Sequence, residues 1–298
     1  MNRWLLVLAL VACDAEPSST GGGSTDTAVD APIADAAVDA PGSDVPGADS
    51  AGLPDAAIPA DALVSDSAQA ADVADVYVPP TATLTGWAFA FAGKGKPIEG
   101  AVIRIAELPD LETTSAADGT WSLEVPTGAP VTPYAEAKGF ALMHLQTFTL
   151  TGDLDHVNFQ MVENAIFTMF AYALETEVDP ERCQISTTAN TIEVRDLDLG
   201  DFVAYGAHGV AGATAHADPP IADTVYFDEL TIPDRTLTET TVDGGVVWAN
   251  VPPGVYTITA KHPTRHFAPF VATCVPGRFI NAGPTRGLRE ITAAEAGL

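Results

Sequence analysis

The stretch Thr240–His262 reads TTVDGGVVWANVPPGVYTITAKH. Its pattern is that of β structure. Asp243-Gly244-Gly245 reads as a turn, because an aspartate can accept from its own backbone two residues on and glycine tolerates positive φ. A strand ends near Val242 before that turn, Val246-Val247-Trp248 starts the return strand, and Pro252-Pro253-Gly254 interrupts it. Val255 to Ala260 then alternates apolar and polar residues, as a half-buried strand does. The stretch reads as a hairpin of a β-sandwich. A looser copy lies earlier in the chain: Thr113-Thr114, the turn Asp118-Gly119, the corner Val125-Pro126-Thr127-Gly128, then Tyr134 to Lys138. Both copies speak to scaffold and duplication.

Working outward from the earlier copy, Thr81 to Phe89 alternates, Gly100 to Ile105 is apolar, and Trp121 to Val125 and Tyr134 to Ala137 alternate again. With His144–Thr151 and Asp155–Met161 this gives about seven short strands at sandwich spacing over residues 79–162. Asn164 to Leu174 places Ile166, Phe167, Phe170 and Leu174 at helical intervals, so one short helix is expected between two sandwiches, with Asn164 as its N-cap. Residues 163–298 form the second unit. Its strands are Cys183–Ala189, Val210–Ala215 (the counterpart of Gly100-Ala101-Val102), Thr224–Asp228, the opening stretch, and Phe270–Val275 as the last core strand. Insertions fall between Val194 and Gly209 and between Ala215 and Val225. The fold class is mainly β: two antiparallel seven-stranded sandwiches.

The Gly-Ala-Val strand, Thr…Asp118-Gly119-Thr120-Trp121-Ser122-Leu123, the Val-Pro-x-Gly corner and Tyr134-x-Glu136-Ala137-Lys138-Gly139 resemble the carboxypeptidase regulatory-like family, over about Gly86 to Gly139. That resemblance implies a transthyretin-like seven-stranded sandwich and an accessory, non-catalytic module. The second half resembles a longer, diverged copy.

The chain has 298 residues and a formal net charge of −27. Nucleic acid is excluded as a partner, since phosphate binding needs clustered Lys and Arg. Met1-Asn2-Arg3 and the apolar run Trp4 to Ala12 fit a signal peptide over residues 1–12, too short to span a bilayer. Leu10-Val11-Ala12-Cys13 resembles the bacterial lipoprotein box. That resemblance implies cleavage before Cys13, acylation of its sulfur and N-terminus, and a lipid-anchored protein of the bacterial envelope facing periplasm or exterior. Residues 13–78 continue as a spacer in which Asp recurs every four to six residues from Asp26 to Asp72, with no Lys or Arg. Such a segment buries too little apolar surface to offset its ordering entropy, so it reads as a disordered tether. Calcium coordination would need closer carboxylates and a glycine-bearing turn.

With Cys13 assigned to lipid, Cys183 and Cys274 remain, and an even pair in an exported chain reads as a disulfide. No metal site is expected: His262 and His266 are four apart, but Pro263 disfavours the helix that would align them. No Gly-x-Ser-x-Gly elbow and no phosphate loop between strand and helix occurs, so neither catalysis nor a cofactor is expected. Trp87, Trp121 and Trp248 read as core, with a sugar-stacking platform as the alternative. The sequence thus points to a non-catalytic envelope lipoprotein that binds or supports a partner: another envelope protein or, alternatively, a carbohydrate.

Overall fold

The computed structural model describes residues 80–93 and 95–298; the signal peptide, Cys13 and the acidic spacer lie outside them. The fold is mainly β. In chain order the elements are β1 (Thr81–Ala90), β2 (Val102–Ile105), β3 (Leu108–Thr114), β4 (Thr120–Pro126), β5 (Pro130–Val131), β6 (Pro133–Glu136), β7 (Met143–His144), β8 (Phe148–Thr149) and β9 (Phe159–Met161). Helix α1 (Asn164–Ala173) follows, then β10 (Cys183–Thr188), α2 (Leu199–Tyr205), β11 (Thr214–Asp218), β12 (Val225–Phe227) and β13 (Pro233–Asp234). The chain closes with β14 (Gly245–Val251), β15 (Gly254–Lys261), β16 (His266–Phe267), β17 (Phe270–Cys274), β18 (Phe279–Asn281) and β19 (Glu290–Ile291).

Two large buried clusters lie along the chain, with smaller ones around Val225 and around Phe202. The first gathers Leu84, Ile103, Trp121, Val125 and Phe159; the second gathers Ile185, Val246, Trp248, Tyr256 and Ile258. Strict alternation makes this possible. In β4 the residues Trp121, Leu123 and Val125 point inward while Thr120, Ser122 and Glu124 are exposed, because successive side chains leave opposite faces of a strand. Opposite Trp121 in the register stands Gly86. A Cβ there would lie 2.1 Å from the Val157 carbonyl oxygen, so only glycine lets the returning backbone approach.

The duplication is visible in the hydrogen bonds. In the first copy β1 pairs antiparallel with β4 and parallel with β9; in the second, β10 pairs antiparallel with β14 and parallel with β18. The opposing sheets match too: β2 pairs with β6 and β6 with β7, as β11 pairs with β15 and β15 with β17. Gly119 O accepts from Ala88 N, and Gly244 O accepts from Ala189 N. The hydroxyl of Ser115 donates to Ile98 O and accepts from Ala101 N; that of Thr240 donates to Val210 O and accepts from Ala213 N. Both residues are 4% exposed, and each hydroxyl settles a buried donor and acceptor that would otherwise cost about 1–3 kcal/mol apiece.

One sheet runs through both copies. Its nine strands lie in the order β13-β12-β14-β10-β18-β7-β6-β2-β3. The join is the parallel pairing of β18 with β7, Phe279 opposite Met143 and Ile280 opposite His144. Around it, Thr147 and Thr273 hydroxyls meet at 2.6 Å, Gly283 N donates to Gln146 Oε1, Thr285 Oγ1 donates to His156 O, and Arg286 pairs with Asp155. Phe279, a residue of the second copy, is buried in the core of the first.

Several expectations need correction. The opening stretch is not a hairpin: no strand ends near Val242 ahead of the Asp243-Gly244-Gly245 turn, since β13 stops at Asp234 and β14 starts at Gly245. β14 and β15 belong to different sheets, and Pro252-Pro253 carries the chain across the core; two consecutive prolines remove the donors a hairpin ladder would need. The Asp118-Gly119 turn likewise joins β3 to β4 of the facing sheet. The sandwiches are not purely antiparallel, since the first and last strands of each copy run parallel. Asn164 is the first helical residue; the N-cap is Glu163, whose side chain makes no capping bond. The strand expected at Val210–Ala215 begins at Thr214. The last core strand is β18 rather than Phe270–Val275, and a second helix, α2, fills the first insertion. The strand expected at Thr224–Asp228 forms β12, but it joins β13 as an added hairpin without a counterpart in the first copy.

Candidate functional site

The most elaborated recess is a cleft of about 440 Å³ to which both copies contribute. Its floor comes from β9, β10 and β18, with Gln160, Ser186, Thr188 and Asn281. Phe91, just past β1, Phe170 of α1 and Phe227 of β12 form aromatic walls. They pack edge to face, Phe91 on Phe170 at 5.8 Å and Phe170 on Phe227 at 5.4 Å, the geometry that ring quadrupoles favour. The loop after α2 brings His208, and the turn before β14 brings Asp243. Glu229 stands at the rim.

The electrostatics of the cleft follow from burial. Asp243 accepts from Thr231 Oγ1 at 2.7 Å and from Gly245 N at 3.0 Å. Burial nevertheless raises its carboxyl above the ordinary aspartate range, and the charge of Asp228 adds to the effect. His208 Nδ1 lies 2.6 Å from Asn190 Oδ1. Since the Asn190 amide nitrogen donates to Pro284 O, the Asn190 oxygen accepts, the proton sits on Nδ1 and Nε2 carries the lone pair. Burial lowers the His208 pKa to about 4, so the ring is neutral at neutral pH. Ser186 gives its hydroxyl proton to Val246 O at 3.2 Å, not to a base.

Cys183 and Cys274 are joined in a disulfide, with their Cα atoms 5.6 Å apart. Cys13 lies outside the described residues. His262 and His266 sit at a strand end and on β16, not on a helix, and no group of three metal-ligating side chains occurs among the described residues. Trp121 and Trp248 are core, the latter donating from Nε1 to Thr224 Oγ1 at 2.9 Å. Trp87 is half-buried and packs edge-on against His156 at the side of a second groove of about 590 Å³ that also carries Thr85, Thr113 and Thr120. Asp243 reads from sequence as a turn residue, and it is one. Its enclosure has no sequence signal, because the residues that wall it in come from α1, β12 and the loop after α2.

No family model and no curated protein matches the chain. Among solved structures it is similar to the TIE protein of Bacillus anthracis, at 13% identity and a TM-score of 0.24, over 71% of this chain and 34% of that one. It is also similar to GBS52, the minor pilin of Streptococcus agalactiae, at 9% identity and a TM-score of 0.23, over 71% and 97%. For the shaft pilin SpaA of Lactobacillus rhamnosus GG the values are 10% and 0.21, over 70% and 96%. This chain spans about a third of the length of the Bacillus protein. Likenesses this distant say nothing of function. No helix among the described residues is long and apolar enough to cross a membrane.

Proposed function

We propose that the chain is a non-catalytic, lipid-anchored protein of the bacterial cell envelope. Its acidic spacer holds a fused double sandwich, of the carboxypeptidase regulatory-like kind, away from the membrane to bind or support a partner. The observation that carries this reading is the pairing of the cysteines. Of three, Cys183 and Cys274 bond to each other, which suits an oxidising, extracytoplasmic compartment. Cys13, at the end of Leu-Val-Ala after an apolar leader, is left for acylation. The shared nine-stranded sheet suits a head that presents fixed geometry rather than two loosely tethered modules. The test is metabolic labelling of the full chain with a clickable fatty acid. The mature protein takes up label and Cys13→Ser does not; absence of label on the wild type overturns the anchor.

A second reading, carbohydrate binding, is favoured by one observation: the half-buried Trp87 beside threonine hydroxyls in the second groove. Glycan-array binding that Trp87→Ala abolishes supports it, and an array without signal removes it.

A further inference from the structure

The cleft between the copies is built for a positive charge. We propose that it binds a small organic ammonium ion, the charge facing Asp243 and the alkyl groups lying against Phe91, Phe170 and Phe227.

The two copies share one turn. Asp118 and Asp243 make the same local bond, each accepting from the backbone N two residues on at 3.0 Å. That bond needs no enclosure. Asp118 has none: it is exposed, and its hydrogen bonds to Thr120 hold its carboxyl below the ordinary range. Asp243 is walled in by elements absent from the first copy, the β12–β13 hairpin and the loop after α2. The added structure therefore puts a carboxyl into a recess that the turn itself does not require.

The carboxyl meets an aromatic ring there. A Cβ built on Gly245 would lie 2.4 Å from Asp243 Oδ1 and 2.7 Å from Phe227 Cδ2. Carboxylate and ring thus pack against the same glycine, which leaves no room for a side chain there and sets the two side by side in the lining of the cleft. A carboxylate joined to ring faces is the recognition chemistry of ammonium ions, which gain from the negative face of the ring as well as from the anion. The remaining lining agrees. Glu229 adds a second acid, Asp228 lies close enough to act on Asp243, and no lysine or arginine lines the cleft among the described residues. His208 is neutral and offers a lone pair, so nothing there competes with an entering cation. Anionic ligands are disfavoured by the same set, and a bare metal ion would leave three phenylalanine walls without a role.

The test uses the purified full chain, with choline and butylammonium as probes and dimethylbutanol as the uncharged carbon isostere of choline. Both cations are expected to bind saturably, to shift the amide resonances of Phe227, Gly245 and His208, and to bind about tenfold or more tightly than the isostere. Asp243→Asn keeps both hydrogen bonds, since Oδ1 still accepts from Gly245 N and the amide can donate to Thr231. It is expected to weaken the cations by about tenfold or more and to leave the isostere unchanged. Equal binding of choline and the isostere, or unchanged cation binding by Asp243→Asn, overturns the proposal. So does the absence of saturable shifts in the wild type up to about 10 mM, a readout that needs no variant to fold.

Discussion

Asp118 and Asp243 hold the same place in the two copies and differ only in what surrounds them, and the buried histidines teach the same lesson about environment. His144 is 2% exposed, stacked on Tyr134 at 4.8 Å, with Arg278 beside it. Burial first, and the arginine charge second, lower its pKa to about 3. His208 falls to about 4 for the first reason alone. Both rings are neutral when folded and take up protons near pH 6.5 when unfolded, so the unfolded chain binds more protons below that value. Stability is full above about pH 6.5 and falls as the pH drops toward 4, by at most about 1.4 kcal/mol per pH unit for each ring. Urea midpoints measured from pH 7.5 to 4 are expected to fall less steeply in His144→Gln and in His208→Gln than in the wild type. Parallel slopes would mean that neither ring is held neutral by the fold. That a histidine lies in a strand or a loop is readable from sequence; whether it is desolvated is not, since that depends on Arg278 and Tyr134 for His144 and on Phe202 for His208.

At the scale of elements, β18 has three residues and yet joins the two sandwiches. Its sequence, Phe279-Ile280-Asn281, is too short to show periodicity, and it sits between Pro276-Gly277 and Gly283-Pro284, which read as loop. The strand exists because β10 on one side and β7 on the other offer open backbone to pair with. Phe279 then enters the first core, 5.3 Å from Phe167 of α1. Phe279→Ala is expected to cost about 3–5 kcal/mol and, although it lies in the second copy by sequence, to lower the unfolding midpoint reported by Trp121 of the first. A loss confined to the signal of Trp248 would show that the copies unfold separately. By contrast α1 was legible, because its apolar residues recur at helical intervals. Helix α2 was not: seven residues carry few apolar positions, and its definition rests on the Asp198 side chain accepting from Asp201 N and on Phe202 packing against Phe89.

For the molecule as a whole, the sheet shared by the two copies predicts that they unfold as one cooperative body. Calorimetry is expected to give a single transition with calorimetric and van't Hoff enthalpies in agreement; two resolved transitions would contradict the join. The disulfide closes a separation of 91 residues within the second copy. Reduction, or Cys183→Ser with Cys274→Ser, is expected to destabilise by about 2–4 kcal/mol, chiefly by freeing the unfolded chain. Because the sheet is continuous, that loss should lower the one transition of both copies together.

What the sequence by itself determined was local: alternation made the strands, Asp-Gly pairs the turns, prolines the corners, and the two-copy pattern the sandwich class. These need only side-chain period and backbone sterics, which act over a few residues. Tertiary structure alone decided which sheet each strand entered, that β18 fused the copies, and that one of two equivalent turn aspartates was enclosed beside Phe227. Those outcomes depend on contacts between residues far apart in the chain. The stretch Thr240–His262 carries both kinds of information: its turn and corner could be read from the residues, but the cleft into which Asp243 faces had to be built by α1, β12 and the loop after α2.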